Sequence, residues 1–122
     1  GRPMRPDPFE LFLRYHLGLD GDLQPRFYNL GALSREYQAS SEEMSDWLHA
    51  AGLSADISGH VDFRLAHAHG EAQDLALGGD RSALEAYVRR AWEGYRAALS
   101  TYDPTSFRDG VDWENVWGDD KG

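Results

Sequence analysis

The chain has 122 residues, 41% hydrophobic and 12% aromatic, which suits one core and excludes disorder throughout. A formal charge of −9 opposes non-specific attraction to nucleic acid or anionic lipid over the whole surface, so basic or neutral partners are expected. With no cysteine there is no disulfide framework, thiolate metal site or thiol nucleophile, and no apolar run approaches the ~18 residues of a membrane span.

Gly1-Arg2-Pro3 ahead of Met4 reads as a tag remnant, so residues 1–6 are assigned to that remnant and a short N-terminal arm. Of the 12 basic side chains only Lys121 is a lysine, which points to a GC-rich bacterial genome. No signal peptide is visible, and together with the lack of cysteine this makes the cytoplasm the expected compartment.

A first helix is expected from Asp7 as N-cap, Pro8 at the first helical position and Glu10 closing a capping box. Phe9, Phe12, Leu13 and His16 form its stripe with Leu11 and Tyr15 beside it, a density that implies burial on more than one side, and Gly18 stops it. A polar loop with Asp20, Gly21 and Pro25 leads to Asn29, the expected N-cap of a second helix.

Residues 29–53 read as two short helices around a tight Ala39-Ser40 corner, with Leu33, Tyr37, Met44, Trp47 and Leu48 between them. Ser40 and Glu43 form a capping box, and Gly52 ends the second of the pair. The run 54–57 is short enough for a single helical turn. Val61, Leu65, Ala68, Ala72 and Leu75 then predict the buried stripe of a longer helix. Gly78 and Gly79 interrupt the chain, Asp80 caps the last helix, and Leu84, Tyr87, Val88, Ala91, Trp92, Tyr95 and Leu99 trace its apolar face.

The spacing of Leu33, Tyr37, Ala39, Ser40, Met44, Trp47 and Leu48 resembles the helix-turn-helix of many bacterial regulators. That resemblance implies a second helix lying in the DNA major groove. The positions that would face bases and phosphates carry Glu42, Glu43 and Asp46, where the regulators usually carry Arg, Lys, Gln or Asn. Repulsion by phosphate replaces the usual counterion-release gain, and Arg35 alone does not offset three carboxylates, so nucleic acid is not the expected partner.

His67, Glu71 and Asp74 lie on successive helical turns and form a ridge along which a divalent metal could be held, with His60 nearby in sequence. Without a second ligand-bearing helix the ridge reads as a solvated flank, and no metal or cofactor is assigned. His16 is placed at the core boundary and His49 near a helix C-terminus. No nucleophile elbow, H-E-x-x-H or phosphate-binding glycine loop is present, so no catalytic residue is named.

Residues 101–122 lack helical periodicity and interleave Phe107, Val111, Trp113, Val116 and Trp117 with acids. Large aromatics are costly to leave in water, so the segment is expected to dock on its own domain or on a partner. The expected architecture is all-α: a compact bundle of about five helices over 7–100, with a central helix-turn-helix-like pair and an irregular acidic aromatic tail. The expected function is that of a non-catalytic interaction or regulatory module, binding a basic protein through Glu42, Glu43, Asp46, Phe107, Trp113 and Trp117. The alternatives are a homodimeric DNA-binding regulator using Arg89, Arg90 and Arg96, and a metal-dependent enzyme built on His67, Glu71 and Asp74.

Overall fold

A computed structural model describes residues 5–102. Among these the fold is all-α and no strand is formed, the nearest approach being an isolated antiparallel bridge between Leu19 and Pro25. The elements are α1 (Pro8–Leu11), running directly into a π-helical turn (Phe12–His16), then α2 (Leu30–Glu36), α3 (Ser41–Ala50), α4 (Ala55–Ser58), α5 (Leu65–Gly78) and α6 (Arg81–Leu99). No helix among the described residues is long and apolar enough to cross a membrane.

Asp7 starts α1 by accepting the Phe9 amide at 3.1 Å, and Pro8 supplies a preset φ. The expected capping box with Glu10 does not form. Glu10 Oε1 instead accepts from the Tyr37 hydroxyl at 3.0 Å, a partner that exists only once α2 has packed, and pairs with Arg14 Nη1 at 3.4 Å one turn along its own helix. Beyond Leu11 the helix widens, with the Leu17 amide reaching back to the Phe12 carbonyl at 3.2 Å.

Leu11, Phe12, Leu13 and Arg14 are buried at four consecutive positions, which a helix with a single apolar stripe cannot achieve. The opening helix is therefore walled in on several sides. Phe12 lies 5.1 Å from Trp92 and 5.3 Å from Tyr95 of α6, while Gln73 of α5 donates to the Leu17 and Gly18 carbonyls at 2.8 and 2.9 Å. Full burial of Phe12 alone is worth about 2–3 kcal/mol. The continuous helix formed by α1 and the π-helical turn, helix 1, is thus buried at more consecutive positions than either helix of the α2–α3 pair.

That pair forms as expected. Asn29 accepts the Ala32 amide at 2.8 Å, and Ser40 and Glu43 exchange hydrogen bonds of 3.0 and 3.1 Å across the start of α3. Leu33, Met44 and Leu48 are buried between the helices, with Tyr37 and Trp47 half-buried at the margin. Gln38 takes the left-handed conformation at the corner (φ 55°), one residue before the predicted Ala39-Ser40 turn.

Val61 is buried but does not belong to α5. Residues 60–64 turn, with the Phe63 amide on the Val61 carbonyl at 2.8 Å, and the helix begins only at Leu65. A stripe of apolar spacing reports burial, and a turn can bury a side chain as well as a helix can. Gly79 (φ 81°) then reverses the chain, and Asp80 caps α6 through the Ala83 amide at 3.0 Å.

Candidate functional site

α3 is held at both ends. Its start carries the capping box, and its end meets two other helices through consecutive carbonyls. Tyr95 Oη of α6 donates to the Gly52 carbonyl at 2.5 Å, and His16 Nε2 donates to the Leu53 carbonyl at 2.8 Å. The two rings stack at 6.2 Å and 27°. Gly52 permits this approach because its φ is 75° and an added Cβ would fall 2.5 Å from Leu99 Cδ2.

Burial disfavours a charge on His16, and the Leu53 hydrogen bond only partly opposes that, so its pKa lies below the ordinary histidine value. The bond requires a hydrogen on Nε2, and with the charge disfavoured by burial the ring meets that as the neutral Nε2–H form. Burial likewise raises the Tyr95 hydroxyl to about 12, and it remains a donor. The result is an α3 whose outer face has a defined orientation.

On that face Glu42 and Asp46 are exposed and one helical turn apart, and neither has an ion-pair partner among the described residues. Glu43 differs: it is half-buried, and its Oε1 already accepts the Ser40 amide. Of the three acids expected to bind a partner, two remain available and the third has a structural task. His49 follows on the same helix, with Nδ1 3.4 Å from Ser54 Oγ and 3.8 Å from Asp56. A hydrogen bond from Ser54 first, then the backbone amide of Asp56 itself and the proximity of His49, hold the Asp56 carboxyl below its usual range. Phe107, Trp113 and Trp117, the aromatic half of the expected surface, lie outside the described residues.

Sequence reasoning missed Arg14. Its guanidinium is buried, pairs with Glu10, reaches Glu36 at 3.9 Å and lies 5.3 Å from the Tyr37 ring centroid. Burial opposes its charge, yet the Tyr37 and Tyr28 phenols and Glu10 outweigh that and Arg14 stays protonated, its pKa above the ordinary value. Its Nε is buried without a hydrogen-bond partner among the described residues. An arginine flanked by Leu13 and Tyr15 carries no local sign of such burial. The available signal was the excess of apolar positions on helix 1, which left no free side for it.

The other candidates disperse. His67 Nε2 and Glu71 are 4.0 Å apart and both exposed, Asp74 adds nothing to them, and no group of three or more such side chains among the described residues is arranged to hold a metal ion. His69 faces the end of helix 1, with Nδ1 3.2 Å from the His16 carbonyl. Arg89 and Arg96 lie over the rings of Phe9 and Trp92 at 5.4 and 5.9 Å, whereas Arg90 lies over Tyr87 at 5.9 Å. Comparison with protein-family models, curated proteins and solved structures finds no match.

Proposed function

We propose that this protein is a non-catalytic interaction or regulatory module of a bacterial cytoplasm, and that it binds a basic protein partner through the outer face of α3. The observation that carries this reading is the pair Glu42 and Asp46: like charges one turn apart, exposed and uncompensated, on a helix secured at both ends. Such a pair costs a few tenths of a kcal/mol in the free protein, and an arriving Lys or Arg would relieve it. A fixed scaffold keeps the ordering cost of association low. Complementary charge would mainly speed encounter and select the partner.

The test is capture from bacterial lysate by the native chain and by the Glu42→Lys, Asp46→Lys double variant. Glu43 is left in place so that the helix cap survives. A partner with a basic surface that is lost on charge reversal, and released as salt rises, supports the reading. Capture that ignores the reversal removes α3 as the binding face. Binding of duplex DNA at low salt, unchanged by the reversal, would transfer the function to the nucleic-acid alternative.

A further inference from the structure

Arg81, Glu85, Arg89, Trp92 and Arg96 recur along α6 at steps of three and four residues, so they share one face of the helix. Phe9 and Trp92 stand 6.2 Å apart, with the Arg89 and Arg96 guanidinium groups over their respective rings. Glu85 is committed to Arg81 at 3.3 Å, while Arg89 and Arg96 make no ion pair with a carboxylate among the described residues. The N-terminal half of this stripe borders a cleft of about 440 Å³ whose walls include Leu13, Leu23 and Val88. A chain of charge −9 therefore carries a cationic aromatic track leading into a part-apolar recess.

The residues that follow α6 have the complementary chemistry. Segment 103–122 holds Asp103, Asp109, Asp112, Glu114, Asp119 and Asp120 against Arg108 and Lys121, with Phe107, Trp113 and Trp117 among them. We propose that this segment doubles back along α6 and docks on the stripe, with its carboxylates on Arg89 and Arg96 and a tryptophan in the cleft. Reach permits it. The level of Arg89 lies about 20 Å back from Tyr102 at the helical rise, whereas residues 103–113 when extended span up to about 36 Å. The covalent tether supplies an effective concentration on the order of millimolar, so contacts too weak to hold a separate peptide suffice. The stripe is distinct from the outer face of α3, and the two proposals stand or fall separately.

The absence of native cysteine gives a direct test on the full chain. A nitroxide attached to Asn115→Cys should broaden the amide resonances of Glu85, Arg89, Trp92 and Phe9 in its own molecule more strongly than those of α2. Reversal by Arg89→Glu with Arg96→Glu should restore the sharp lines, and 1 M salt should weaken the broadening in the otherwise native chain, which guards against a folding defect in the reversed variant. Sharp stripe resonances in the labelled chain overturn the proposal. So does broadening seen equally in unlabelled molecules mixed with labelled ones, which would make a second copy the occupant. Stripe resonances that move only when duplex DNA or a free acidic peptide is added would assign the track to that ligand instead.

Discussion

Tyr95→Phe removes one oxygen from the centre of the molecule and leaves the ring. Tyr95 is fully buried, and its hydroxyl is the hydrogen-bond donor reaching the buried Gly52 carbonyl. Phenylalanine fills the same space, so no cavity term enters and the stacking on His16 and Phe12 survives. What remains is the loss of one buried hydrogen bond and an acceptor left without its partner, a cost of about 1–3 kcal/mol. For a domain of this size each kcal/mol lowers Tm by about 4–8 °C. Urea unfolding followed by far-UV circular dichroism measures the loss directly, with an unchanged m-value as the sign that only stability has moved. Tyr15→Phe, a half-buried ring with no hydroxyl hydrogen bond among the described residues, is the internal control and should stay within about 0.5 kcal/mol of the native chain. A Tyr95→Phe variant as stable as that control would refute the claim that this hydroxyl anchors the end of α3.

Two further outcomes follow from the same junction. Because the His16 pKa is depressed in the folded state, the unfolded chain takes up the proton first: stability is full above the ordinary value of 6.5 and declines as pH falls from there toward the folded pKa, and His16→Gln should flatten that part of a stability-versus-pH curve. Gly52→Ala should destabilise by at least about 1 kcal/mol, from the left-handed backbone alone, with the Leu99 contact adding to it, while Gly70→Ala, in the exposed interior of α5 with open space around it, should stabilise by about 0.5–1 kcal/mol. Thermal melts of the two variants together check both signs.

Much of the local architecture could be read from residues near one another in the chain. Asp7, Asn29, Ser40 and Asp80 cap helices because their short side chains reach amides two or three residues ahead, an interaction that needs nothing from the rest of the fold. The α6 face was equally legible, since periodicity over nineteen residues leaves little ambiguity. Glu42 and Asp46 could be placed on the outside of α3 for the same reason, whereas Glu43 could be given both a cap role and a binding role from sequence, and its geometry shows the cap bond.

Everything that joins distant segments lay beyond that reach. Arg14 is buried because α2 packs over it, with Glu36 and Tyr37 beside its guanidinium, and Glu10 abandons its own helix cap for partners that include Tyr37, 27 residues away. His16 becomes a neutral donor because residue 53 presents a carbonyl to it, and Arg89 and Arg96 become a track because helix 1 delivers Phe9 beside Trp92. Sequence patterns encode which face of each element avoids water, and the chain's own amino acids determined the helices, their caps and an acidic α3. Which segment is walled in on several sides was decided by packing: the opening helix is buried at the four consecutive positions Leu11, Phe12, Leu13 and Arg14, the last three of them in its π-helical turn.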